Sequence, residues 1–121
     1  MSPVNNADRP ARRLRAEQRT AAGIRVVSLH GEIDHNAKDL LREALSPYDA
    51  RPAHIVADLA GVTFLDSSGI TVFIAAHQRI ADAGGWLRIA APQDPVREVL
   101  HLVTLDTVIS CYPTLEQALA G

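Results

Sequence analysis

A single cysteine, Cys111, in 121 residues excludes an internal disulfide framework and a thiolate cluster for zinc, and agrees with a reducing compartment. No apolar run approaches the ~18 residues that span a bilayer. The opening MSPVNNADRPARR also lacks the apolar stretch of a secretory signal. The expectation is a cytoplasmic protein with no membrane association. Lys38 is the only lysine, and it falls in a helical stretch, so an aspartyl-phosphate receiver built on Asp58 and Asp66 would lack its phosphate-pairing cation. A Gly-x-x-x-x-Gly-Lys run and a Gly-x-Gly-x-x-Gly run are both missing, which leaves a nucleotide pocket unsupported. Residues 65–69 read Leu-Asp-Ser-Ser-Gly rather than Gly-x-Ser-x-Gly, and His77 lies too far into the next helix to serve Ser67 or Ser68 as a base. His30, His35, His54 and His101 show no ligand spacing, so neither a metal nor a cofactor is expected, and His77 reads as a boundary histidine with one satisfied nitrogen.

An excess of either charge is missing as well. A net charge of −2 gives no global drive toward nucleic acid or anionic lipid. The local basic cluster Arg9, Arg12, Arg13, Arg15 and Arg19 reads instead as the solvated face of a strand, because Arg13, Arg15, Glu17 and Arg19 alternate.

What is present is a 47% hydrophobic chain of single-domain size. Residues 1–11, with Pro3, Asn5, Asn6, Asp8 and Pro10, read as a disordered or irregular lead-in, and 12–121 as one domain. Strands at 12–19 and 23–33 form a hairpin through Thr20-Ala21-Ala22-Gly23, with Val27, Leu29 and Ile33 on one face. Asp34 or Asn36 caps a helix whose apolar stripe is Ala37, Leu40, Leu41, Ala44 and Leu45, and Pro47 stops it.

Ile55, Val56, Ala57 and Leu59 predict a covered strand that ends near Asp58, followed by a short turn. From Ser67 to about Ala83 the spacing predicts a helix with Ile70, Phe73, Ile74, His77, Ile80 and Ala81 inward, ended by Gly84-Gly85. Its outer face carries Thr71, Val72, Ala75, Ala76, Gln78 and Arg79. Small apolar residues there suit either another protein or a neighbouring helix. A strand at 86–91, a helix at 92–103, a strand at 108–111 and a helix at 113–120 complete an alternating α/β pattern, a mostly parallel sheet preceded by an antiparallel hairpin strand, with about four helices.

The junction Asp66-Ser67-Ser68-Gly69 is the informative point. A serine at a helix N-terminus meets unpaired backbone N–H groups and the positive end of the macrodipole, so the fold tolerates a phosphate there. A partner docked over the same spot would meet about −1.5 to −2 new charges.

Gly31-Glu32-Ile33-Asp34, the segment Ile55-Val56-Ala57-Asp58-Leu59 to Val62-Thr63-Phe64-Leu65, and Asp66-Ser67-Ser68-Gly69-Ile70 together resemble bacterial STAS domains of the anti-sigma factor antagonist type, from about Leu14 to Ala120. The resemblance implies a non-enzymatic regulator whose unmodified form binds an anti-sigma factor with serine kinase activity, releasing a sigma factor. Kinase, ATP and magnesium belong to that partner. It further implies Ser67 as the phosphate acceptor, with Asp34, Asp66, Ser68 and Gly69 as its neighbours; the outer helix face read above places the partner surface at Thr71, Val72, Ala75 and Arg79. The alternative within the same domain type is an adaptor or scaffold, in a stress-signalling complex or as a transporter accessory subunit. Weak homodimerisation is compatible with either.

Overall fold

A computed structural model describes residues 13–46 and 53–121. The lead-in at 1–11, Arg9 and Arg12 of the basic cluster, and the helix stop at Pro47 lie outside the described residues.

The first two strands, β1 (Arg15–Ala21) and β2 (Ile24–Ile33), form the expected antiparallel hairpin. Its loop is only Ala22-Gly23, both at positive φ (54° and 79°), the two-residue turn whose twist matches that of the strands. After β2 the chain enters a 3-10 turn (His35–Ala37) and α1 (Lys38–Ala44), then β3 (His54–Leu65) and α2 (Ser67–Asp82). β4 (Trp86–Ala90), α3 (Asp94–Leu102), a second 3-10 turn (Leu105–Thr107), β5 (Cys111–Tyr112) and α4 (Leu115–Ala120) follow. Among the described residues the sheet has five strands in sequence order, β1 antiparallel and the rest parallel.

The sheet is closed unequally. Ile33, Leu41, Ile55, Leu59, Phe73, Ile80, Val96 and Leu100 belong to one large core, which places α1, α2 and α3 over the same face. The other face holds a small cluster of Ile24, Val56, Ala90 and Ala118, covered by α4 with Trp86 and Tyr112 at its margin. Arg88 fastens that helix: its guanidinium lies 3.7 Å over the Trp86 ring and donates to the Ala118 and Gly121 carbonyls, both at 2.9 Å.

Three expectations change. The turn predicted after Leu59 is strand, because β3 runs on to Leu65 and Asp58 sits in its middle. Two register shifts against β2 explain the lost alternation: Ser28 opposes Asp58 but His30 opposes Gly61, and Gly31 opposes Val62 but Glu32 opposes Phe64. Each shift inserts a residue into β3, so Leu59, Val62 and Leu65 point inward at a spacing of three. Asp58 accepts the freed Ala60 N–H at 3.0 Å, and Gly31 takes φ +108° at the second shift.

The last strand is Cys111–Tyr112 rather than 108–111, since Leu105 and Ile109 are buried by a 3-10 turn that imitates strand alternation, while Val108 is half exposed. Leu40, placed in the apolar stripe of α1, is 42% exposed.

Among the described residues no helix is long and apolar enough to cross a membrane.

Candidate functional site

The parallel pairing of β2 with β3 brings Ile33 opposite Leu65. The chain leaves both strands at the same end, and each exit residue is an aspartate. Asp34 caps the 3-10 turn before α1, its carboxylate accepting the Ala37 N–H at 3.2 Å. Asp66 caps α2, its carboxylate accepting the Ser68 N–H at 2.9 Å. The Asp66 N–H donates to the Ile33 carbonyl at 3.1 Å, tying the two exits together.

Ser67 is the first residue of α2 and is exposed; among the described residues its hydroxyl makes no hydrogen bond. Ser68 is only half-buried by comparison, and its amide is already held by Asp66. The Thr71 hydroxyl donates back to the Ser67 carbonyl at 3.0 Å, steadying the first turn. Gly69 is buried against the strand ends, where a Cβ would lie 2.5 Å from both Ile33 Cγ2 and Leu65 Cδ1. That packing requires glycine because the helix mouth is pressed onto the sheet.

The helix mouth differs in one respect from an open anion site. Ser68 donates to the Asp66 carboxylate, and Gly69 and Ile70 donate to the Asp66 carbonyl at 3.1 and 3.2 Å. The aspartate has therefore taken the Ser68 and Gly69 donors of the first turn, and its charge sits beside any phosphate added to Ser67.

Of the residues assigned to a partner surface, Thr71 and Arg79 are exposed and Ala75 is half-buried. Val72 is corrected: it is 5% exposed and belongs to the large core, as does Ala76. α1 packs beside α2 and rotates the buried arc, so Ile74, expected inward, is instead 37% exposed, and Ala81 is exposed too. The outward apolar residues that the helical wheel missed are Ile74 on α2, Phe64 just before the cap (46% exposed), and Leu40 on α1. An open groove of about 530 Å³ lined by Glu32, Asp34, Asn36 and Leu40 adjoins Asp34.

His77 is half-buried, and its Nδ1 has no hydrogen-bond partner among the described residues. Cys111 is pushed up to about 11 by burial and, secondarily, by the Asp106 charge, so it is a protonated packing thiol at neutral pH. Among the described residues no group of three or more His, Cys, Asp or Glu side chains converges.

Comparison with known proteins agrees with this architecture. The STAS domain family matches residues 15–118. The chain is 30% identical over 108 residues to an anti-sigma F factor antagonist of Paenibacillus polymyxa, covering 88% of this chain and 92% of that protein. It is 33% identical over 100 residues to the anti-sigma-F factor antagonist RsfB of Mycobacterium tuberculosis, covering 82% and 81%. The crystal structure of an anti-sigma factor antagonist from Mycobacterium paratuberculosis superposes with a TM-score of 0.79 at 32% identity, covering 88% of this chain and 92% of that one. With its two aspartate-capped exits, its antiparallel first strand and its otherwise parallel sheet, the chain belongs to the STAS domain family, among relatives that are anti-sigma factor antagonists.

Proposed function

We propose that this chain is an anti-sigma factor antagonist that binds an anti-sigma factor with serine kinase activity while Ser67 is unmodified, and that phosphorylation of Ser67 ends the association. The observation that carries the reading is the exposed, unbonded Ser67 hydroxyl at the first position of a helix whose mouth is capped by Asp66 and adjoined by Asp34. The curated relatives supply the class of partner.

The switch is electrostatic. An anion at a helix N-terminus gains about 0.3–1 kcal/mol, and here less, since Asp66 holds the first-turn donors. Repulsion from one carboxylate about 6 Å away costs about 2–3 kcal/mol at an effective dielectric near 20. That cost bears on affinity where the bound partner supplies the carboxylate, so the phosphate opposes an acidic or tightly packed surface laid over Ser67. Loss of close contact adds to this, and a drop in partner affinity of about a hundredfold or more follows from roughly 2.7 kcal/mol. The chain itself contributes no turnover; kinase, ATP and magnesium come from the partner.

Incubation with ATP alone and then with ATP and a candidate kinase anti-sigma factor tests this, read by intact mass. The expected result is one phosphate, in the second tube only, at Ser67. Ser67→Ala takes none and stays bound in ATP, and Ser67→Asp binds more weakly. Release of the Ser67→Ala protein by ATP at the wild-type rate would overturn the reading.

A further inference from the structure

β1 ends the sheet: β2 pairs with one side of it, and among the described residues nothing pairs with the other. Its middle is open, because Glu17, Gln18, Arg19 and Thr20 are all exposed and only Ala16 reaches the core. The two-residue turn fixes which backbone groups face outward. Ala21 and Ile24 close the hairpin as a hydrogen-bonded pair, so Ala21, Arg19, Glu17 and Arg15 turn their N–H and C=O toward β2. Ala16, Gln18 and Thr20 therefore present theirs to the free edge.

Charges on an edge strand ordinarily discourage pairing. Here they are arranged so that one register converts them into attractions. A second copy laid antiparallel with its two-fold axis at Gln18 puts Glu17 of each chain opposite Arg19 of the other, twice, and Ala16 opposite Thr20. The charged pairs fall at the non-hydrogen-bonded positions, where side chains approach most closely. Shifting the axis to Glu17 opposes Glu17 to itself and Arg15 to Arg19. Placing it at Arg19 opposes Arg19 to itself. At Ala16 it opposes Arg15 to Glu17 but also, beyond the end of β1, Arg13 to Arg19, and at Thr20 it leaves Glu17 and Arg19 without a charged mate. Only the Gln18 register pairs opposite charges within β1 with no like-charge contact.

We propose that the β1 edge is a self-association surface, on which two copies of this chain pair antiparallel about Gln18 to make one continuous sheet. The occupant is a second copy rather than a foreign strand because the Glu17 and Arg19 charges complement their own symmetry mates. A short edge without an apolar centre supports a reversible dimer, with a dissociation constant on the order of 0.1–1 mM.

Sedimentation velocity over about 10 μM to 1 mM, a range that brackets such a dissociation constant, with amide exchange by NMR at both ends, tests it. The expected result is a concentration-dependent dimer in which the Ala16, Gln18 and Thr20 amides gain protection. Glu17→Arg and Arg19→Glu each weaken association about tenfold or more, and the double exchange restores it to within about threefold of wild type. Gln18→Pro removes an outward donor and no β2 bond, as edge strands allow, and abolishes the dimer with an unchanged circular-dichroism spectrum. If that variant does not fold, the charge-reversal set decides alone. A monomer throughout the range overturns the proposal. So does a dimer indifferent to charge reversal, which would place contact elsewhere, as at the exposed Leu102, Val103 and Val108.

Discussion

The Asp66 amide donates to the Ile33 carbonyl at 3.1 Å, and this one bond holds two capping aspartates at neighbouring strand exits. Asp34 and Asp66 share nearly the same extended backbone, φ/ψ −118°/−171° and −113°/−174°, and each turns its carboxylate back onto its own helix start. Cap and candidate switch are thus the same piece of structure. A change at Asp66 acts on fold stability and on the electrostatics around Ser67 together.

Asp66→Ala should cost about 1 kcal/mol, within the 0.5–2 kcal/mol range of lost helix caps, while Asp66→Asn keeps an acceptor and loses little. Urea denaturation distinguishes them. An Asp66→Asn protein as unstable as Asp66→Ala would show that charge, not the Ser68 hydrogen bond, supports the helix mouth.

At Gly69 two effects compete. Alanine is favoured over glycine in a helix by up to about 1 kcal/mol, but its Cβ would lie 2.5 Å from Ile33 Cγ2 and Leu65 Cδ1. Overpacking of this kind costs about 1–3 kcal/mol, so the net change is expected to be destabilising. Pairing Gly69→Ala with Ile33→Ala removes one of the two obstructing methyl groups and should give a double mutant more stable than the two separate losses add up to.

Val72 and Ile74 exchange the roles that a helical wheel assigns to them. Val72→Ala should lower stability by roughly 1–3 kcal/mol because the side chain is buried. Ile74→Asp should leave the melting midpoint within a few degrees, since surface substitutions shift stability by about 0.5 kcal/mol. If α2 docks an anti-sigma factor, the second change weakens that complex by about tenfold or more. Unaltered binding by Ile74→Asp would remove this face from the interface.

Cys111 gives a pH signature. Its pKa of about 11 in the folded state lies above the ordinary 9.0, so the folded chain holds this proton more tightly than the unfolded one. The stability derived from the protonated thiol is complete below pH 9 and is lost as pH rises through 9 to 11. At pH 8 its alkylation by iodoacetamide should run about a hundredfold slower than that of a free thiol. Equal rates would mean that the side chain is open to solvent.

Much of this molecule is legible before any coordinates. The hairpin follows from the alternation of Val27 and Leu29 with the Ala22-Gly23 turn, and the α2 start follows from Asp66-Ser67. Legibility fails where a local rule meets a distant contact. Two inserted residues give Leu59, Val62 and Leu65 a helical spacing inside a strand. α1 beside α2 buries Val72 and frees Ile74, which no single-helix projection contains. Ser67 could be chosen from a motif, yet the placing of the Asp34 exit beside the Asp66 exit depends on Ile33 pairing with Leu65 across thirty-odd residues of chain. Only the family resemblance carried that proximity.

The unequal closure of the sheet means that the molecule has a soft side. Three helices must lift together before solvent reaches the inner face of β3, whereas a six-residue α4 bolted by Arg88 guards the other. Thermal fraying is expected to begin at that lid, so amides of α4 and β5 should trade deuterium through small openings while those of β3 wait for the whole chain to come apart.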